Sequence, residues 1–226
     1  MGSSPFEADL HIHTVRSGDA RIEPRGLVAE ARGLGLFAIA VTDHNTVAGV
    51  RDVVSLARGQ DLLVVPGVEV SSRDGHVLAL GVSEDVPAGL SADETIRLIG
   101  DLGGLAIAAH PGRVYTGLHD DTIRESGFRA VEVANGHSSK RLNRAARRLA
   151  AGMGTATTGG SDAHFPGEVG RCRTAFPTAP ADVEGVLEAI RGREVQAVGE
   201  GMGPGAQLAL QTRMAARWVL RGGRRM

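Results

Sequence analysis

The chain has 226 residues, 42% of them hydrophobic, which suits one large domain or a barrel with a real core and excludes a disordered chain. A net charge of −1 excludes polyanion binding by bulk charge, and a single cysteine excludes an intramolecular disulfide framework. No window approaches about 18 uninterrupted apolar residues, and residues 1–6 have neither a basic start nor an apolar run. Neither a membrane span nor a signal peptide is therefore expected, and the expected location is cytoplasmic.

Residues 6–14 open the chain as an apolar, extended run, read as a strand. A helix is predicted over 23–34, where Leu27, Val28, Ala31 and Leu34 recur at helical spacing behind Pro24. Residues 37–41 form a buried strand ending in Thr42-Asp43-His44, and 47–58 a helix. The apolar run 62–65 is a strand, broken by Pro66-Gly67 and resumed over 68–70. Residues 76–82 are the next strand. Ser91-Ala-Asp-Glu94 fits a capping box for a helix running to about 102. Residues 105–109 lead as a strand into His110-Pro111. A strand over 130–134 precedes a helix over 140–153, and 155–160 leads into Ser161-Asp162-Ala163-His164. Short strands at 173–176 and 194–198 flank a helix over 182–191, and a basic amphipathic helix closes the chain at about 206–222. Alternation of this kind predicts an α/β fold with a parallel sheet closed, or nearly closed, as a barrel. The connection from Val70 to His76 is too short for a helix, so the barrel should be irregular. With no repeat and no linker, residues 1–226 read as one domain.

His11 and His13 are two residues apart in the first strand, so both rings can reach one point at its end. Asp19 follows after Ser17-Gly18, where a turn can return a carboxylate to the same place. A His-x-His pair alone is equally compatible with ordinary polar surface. The rest of the chain decides for a metal: strand ends carry His44, Glu69, His110, Asp162 and His164, and His76 opens the strand that follows the hairpin. Only His119 and His137 of the eight histidines fall outside this set. Imidazoles and carboxylates without thiolate suit Zn²⁺, Mn²⁺ or Fe. Six histidines and three carboxylates exceed one tetrahedral centre, and Glu69, central in the order, is the natural bridge.

These motifs carry a resemblance. Asp9-Leu-His11-Ile-His13-Thr14, Thr42-Asp43-His44, Gly67-Val-Glu69-Val, Ala109-His110-Pro111 and Gly160-Ser-Asp162-Ala-His164 resemble, in order, those of the PHP (polymerase and histidinol phosphatase) family. The resemblance implies a distorted (β/α)7 barrel with two or three divalent metal ions. It implies His11, His13, Asp19, His44, Glu69, His76, His110, Asp162 and His164 as the ligands. In many members an Asp follows the Ser directly; here Gly18 intervenes. His137 is an alternative to His76. Asp43 would orient a ligand from behind, or cap a helix. The implied reaction is hydrolysis of a small phosphate monoester, histidinol-phosphate-like or a nucleotide, by a hydroxide bridging the ions. Arg16, Arg113 and Arg171 lie near the motifs and are candidates to hold phosphate, against a reading as solvated surface charge.

Three other readings compete. An amidohydrolase-type deaminase or hydrolase also opens on His-x-His, but its binuclear members often use a strand-end lysine, and the only lysine here, Lys140, starts a basic helix. A non-catalytic, structural PHP domain is the second, disfavoured by a complete ligand set. The third is an anionic-surface role for the basic helices, disfavoured because net charge is near zero and one Trp and one Tyr are available for stacking. A small phosphorylated substrate is thus the expected partner, rather than nucleic acid.

Overall fold

A computed structural model of the protein describes residues 6–206 and 212. Among these residues nine strands form one sheet: β1 (Phe6–Ile12), β2 (Ala38–Val41), β3 (Leu63–Ser72), β4 (Gly75–Leu80), β5 (Leu105–Ala108), β6 (Ala130–Asn135), β7 (Ala156–Gly160), β8 (Arg173–Phe176) and β9 (Gln196–Val198). Their order across the sheet is β7-β6-β5-β4-β3-β2-β1-β8-β9. Six helices lie between them: α1 (Pro24–Gly33), α2 (Ala48–Ala57), α3 (Ala92–Asp101), α4 (Asp120–Glu125), α5 (Lys140–Met153) and α6 (Val183–Arg191). The expected barrel is present and irregular. β1, β2 and β3 run parallel, as do β5, β6 and β7, while β4 is antiparallel to both of its neighbours. Beyond β7, Asp162 N donates to His11 O (2.7 Å) and His13 N to Ala163 O (3.0 Å), which nearly closes the sheet onto β1.

Most predicted elements recur within a residue or two, and the capping box at Ser91 and Glu94 is formed. The predicted break at Pro66-Gly67 is corrected: β3 is continuous through it. The strand changes partners there instead. Residues 63–66 pair with β2, and 67–72 pair with β4. Proline lacks an N–H, so it is tolerated where one ladder ends and the next begins. α4 was not expected; its six residues hold one buried apolar side chain, Ile123, too little for a periodic signal. The expected helix at about 206–222 lies, except for residues 206 and 212, outside the described residues. No helix among the described residues is long and apolar enough to cross a membrane.

Alternation sorts the strands into an inner and an outer face. Ala8, Leu10, Ala38, Ala40, Val65, Leu78, Leu80, Leu105, Ile107 and Ala130 fill the inside with Phe176 of β8 and Val186, Leu187 and Ile190 of α6. Val68, Val70, Val131 and Val133 face outward, toward a core that includes Ile99 of α3 and Ala146 and Leu149 of α5. Glu69 and Glu132 alternate with those valines, and so both carboxylates point into the barrel. In β1 the pairing with β2 advances three residues, Asp9 to Ile12, while β2 advances two, Ile39 to Val41. One extra residue there resets the alternation. Leu10 packs inside, His11 and His13 also turn inward, and Ile12 goes to the outer core with Ile39 and Val41.

Candidate metal centre

Nine side chains from six strands and the segments that follow them converge at the carboxyl end of the barrel. Glu69 is at their middle. Its Oε1 lies 2.8 Å from His76 Nδ1, 2.8 Å from His110 Nε2 and 3.5 Å from His11 Nε2, while Oε2 lies 2.9 Å from His44 Nδ1 and 3.2 Å from His13 Nε2. Asp162 Oδ1 lies 3.4 Å from His11 Nε2, 3.3 Å from His13 Nε2 and 3.6 Å from His164 Nδ1. Asp19 reaches the rim as expected. Gly18, with φ 75°, closes a short 3-10 turn at residues 15–17 in the left-handed region. That turn brings Asp19 Oδ2 to 3.5 Å from His44 Nε2 and 3.3 Å from His164 Nε2.

The imidazoles are aimed by groups behind them. His11 Nδ1 is 3.0 Å from Glu132 Oε1; a carboxylate only accepts, so Nδ1 donates and Nε2 is the ring nitrogen that faces the centre. His13 Nδ1 is 2.9 Å from Ser17 Oγ, which itself donates to Asp43 Oδ1 at 2.7 Å. Asp43 also accepts from Thr14 N (2.7 Å) and Thr14 Oγ1 (2.8 Å). Asp43 thus supports His13 through Ser17. The alternative reading as a helix cap is corrected, because Val47 stands at the N-cap of α2 without a side-chain bond. Asp9, buried, accepts from Ser161 N and Gly170 N at 2.8 Å and ties the loop bearing Asp162 to β1. Burial raises its carboxyl to about 6 against these bonds.

Charge and donor chemistry both fit a divalent cation. Burial alone would raise the carboxyls of Glu69 and Asp162, yet both are held well below the usual range, Glu69 by His76, His11 and His44, and Asp162 by Arg113 and His11. Burial would likewise lower His44, but Glu69 and Asp19 push it up to about 10. His11 is raised well above the ordinary imidazole value against burial by Glu132, Asp162 and Glu69. His110 goes the other way, to about 4, through burial and Arg113. A cluster that draws protons onto its imidazoles in this way has positions where a metal ion replaces them. His44 Nδ1 lies 2.9 Å from Glu69 Oε2, but among the described residues it has no partner aligned to share a hydrogen. The separations between the His11 and His13 nitrogens (3.2 Å) and from these to Glu69 and Asp162 (3.2–3.5 Å) also match a tetrahedral shell. Bonds of about 2.0–2.1 Å to Zn²⁺ place ligand atoms about 3.3–3.4 Å apart.

Residues 9–127 match the PHP domain, and residues 140–195 a PHP-associated region. The chain belongs to the PHP family. It is similar to the uncharacterised protein MJ1587 of Methanocaldococcus jannaschii, 38% identical over 142 residues, or 58% of this chain and 83% of that one. It is also similar to the phosphoribosyl 1,2-cyclic phosphate 1,2-diphosphodiesterase of Eggerthella lenta, 36% identical over 87 residues, or 35% of this chain and 32% of that one. Its fold is shared with PsfC from Pseudomonas syringae PB-5123, with a TM-score of 0.66 at 18% identity over 97% of this chain and 100% of that one.

Within this PHP barrel the three candidate arginines are placed differently. Arg113 enters the centre: its Nη2 donates to Asp162 Oδ2 and Asn135 Oδ1 at 2.7 Å and to Ser138 Oγ at 3.4 Å. Arg16 is half exposed and paired with Asp52 on α2, and Arg171 lies 3.5 Å from Glu168. His137 lies beside the centre, within reach of Asp162 and His164, but its Nε2 is 2.9 Å from Glu168 Oε2. His76 groups with His44 and Glu69 instead. His119 stands at the exposed start of α4. Sequence reasoning missed Glu132 and Glu168. Glu132 had a signal: Val131-Glu132-Val133 repeats the surroundings of Glu69 in Val68-Glu69-Val70, a lone carboxylate inside a buried strand. Glu168 sits in the loop after the last motif, where nothing marks it.

Gly160 is required by this PHP centre. A Cβ there would lie 2.4 Å from His11 Cβ and 2.8 Å from His11 N. Gly160→Ala is therefore expected to cost about 1–3 kcal/mol in urea denaturation, the usual penalty of overpacking. A variant as stable as the parent would show that β1 and β7 move apart freely.

Proposed function

We propose that the chain is a metal-dependent phosphoesterase acting on a small phosphate monoester. The observation that carries this reading is the convergence of six imidazoles on Glu69 and Asp162, with the Arg113 guanidinium on the same Asp162. Two or three divalent ions, Zn²⁺, Mn²⁺ or Fe, would be held by His11, His13, Asp19, His44, Glu69, His76, His110, Asp162 and His164. More than one ion is proposed because the ligand groups overlap: His13, His44, His164, Glu69 and Asp162 each belong to at least two. When bound, such ions supply an activated water and neutralise charge on phosphoryl oxygens.

The chain's own residues do the rest. All three Arg113 bonds leave from Nη2, so among the described residues no hydrogen bond engages its Nη1, which can donate to a phosphoryl oxygen. Asp162, Asn135 and Ser138 hold that guanidinium in place. Asp43 through Ser17, and Glu132 directly, hold His13 and His11 so that the ligand atoms do not have to reorganise as substrate arrives. The amidohydrolase reading is disfavoured, because Lys140 is exposed and paired with Glu200 and so is not at the centre.

The test is release of inorganic phosphate from a panel of phosphomonoesters by Mn²⁺- or Zn²⁺-loaded protein, with Asp162→Ala alongside. Turnover by the parent and none by the variant is expected. Metal bound with no phosphate released from any monoester would defeat the monoester reading. Cyclic and linear phosphodiesters are the second arm, favoured by the similarity to the Eggerthella lenta diphosphodiesterase.

A further inference from the structure

The loop from His110 to Leu118 has a role that metal binding and phosphate contact leave unexplained. Tyr115, the single tyrosine of the chain, is 99% exposed, and its neighbour Val114 is 71% exposed. Tyr115 also has φ 71°, a left-handed backbone in which a bulky side chain is strained. A solvent turn would place Gly or Asn there. Neither packing nor backbone preference therefore accounts for an aromatic ring at this position, and strain of this kind gathers at functional sites.

The loop that carries the ring is tied to the metal centre through His110 at its start and through Thr116, which accepts from His76 N. Gly117 N donates to Arg113 O (2.9 Å), Arg113 N to His110 O (3.3 Å) and Gly112 N to Leu118 O (3.1 Å), so residues 110–118 form a closed turn. The turn is tight: a Cβ on Gly117 would lie 2.3 Å from Arg113 N. His76 N donates to Thr116 O (2.8 Å), and the His76 ring is itself 2.8 Å from Glu69. Tyr115 therefore stands next to a residue bound to His76. It is also two residues from Arg113, whose guanidinium reaches Asp162. Two residues span at most about 7 Å of backbone.

We infer that Tyr115 is a specificity-determining residue, a stacking platform at the mouth of the centre for the planar ring of an aromatic phosphate ester such as a nucleoside monophosphate. The inference rests on the phosphoesterase reading and narrows its substrate class. Phosphate held at Arg113 leaves the organic part of the ester emerging past residue 115. An exposed phenol ring there offers a sequence-tolerant π-face on which a base stacks, and a much weaker C–H contact to an aliphatic sugar phosphate. The closed turn fixes the backbone of residue 115, and a tyrosine has only two side-chain torsions to order on binding.

The experiment is calorimetry on the Mn²⁺-loaded protein with three probes: inorganic phosphate and the non-hydrolysable methylenephosphonate analogues of AMP and of ribose 5-phosphate. In the parent and in Tyr115→Phe the adenosine analogue should bind about 5- to 150-fold more tightly than the ribose analogue, the range of one base–aromatic stack. In Tyr115→Ala that preference should vanish while affinity for inorganic phosphate stays unchanged. Equal binding of the two analogues by the parent, or a preference that survives in Tyr115→Ala, overturns the inference and leaves the phosphoesterase reading standing. Failure of all three probes to bind, inorganic phosphate included, removes both.

Discussion

Glu69→Gln is expected to strip divalent metal from the centre and to lower phosphate release by at least about 10³-fold, the scale on which charge stabilisation at a preorganised site operates. The two Glu69 oxygens meet five imidazoles, those of His11, His13, His44, His76 and His110, at 2.8–3.5 Å. Glutamine keeps the shape but removes the charge. It also turns an NH₂ toward nitrogens that are needed as metal ligands. Every proposed ion that shares Glu69 is affected at once, so metal content should fall by more than one equivalent. The change is read by metal analysis after gel filtration, beside the rate on the best monoester of the panel. Full metal content together with an unchanged rate would take Glu69 out of the centre.

Glu132→Gln should weaken metal binding by about 10- to 100-fold although Glu132 is not itself a proposed ligand. Three donors converge on its two oxygens: His11 Nδ1 at 3.0 Å, His110 N at 3.0 Å and Asn135 Nδ2 at 2.9 Å. An amide has one acceptor oxygen, so in either orientation its NH₂ faces a donor. The most economical relief is rotation of the His11 ring, which carries Nε2 away from His13 and Asp162. Competition with a chelator of known affinity measures the loss. The variant should keep its far-UV circular dichroism, because the sheet bonds of β6 do not pass through this side chain. An affinity equal to the parent's would show that His11 is held by its backbone alone.

Much of this protein is readable along the chain because its elements are short and sharply punctuated. Ser91 and Glu94 announce a helix start, the apolar run 105–109 a strand, and the histidines and acids at strand ends a metal centre. All of these are local signals: residue type, spacing and the residue that comes next. The nine proposed ligands could be picked out because imidazole and carboxylate side chains rarely gather at strand ends for packing alone. The supporting carboxylates could not be picked out in the same way. Glu132 and Glu69 sit in the same Val-Glu-Val pattern, and only the position of each along its strand separates a group at the centre from one behind it.

The face that β1 presents was also beyond local reading. Strict alternation would put His11 and His13 on the side of Asp9, opposite Ala8 and Leu10. The extra residue between Asp9 and Ile12 brings both rings to the inside with Leu10, and it exists because of how β1 pairs with β2. The continuity of β3 through Pro66-Gly67 has the same origin, since the missing N–H matters only where the strand changes partners. Arg16 and Arg113 look alike beside their motifs, and the fold sends one to Asp52 and the other to Asp162. The element order apart from α4, the family and the residue types of the centre follow from neighbours a few positions away along the chain. Which face they turn to, which carboxylate stands behind which imidazole, and which arginine meets the site were decided by strand pairing and barrel closure, which join residues as far apart as His11 and Asp162.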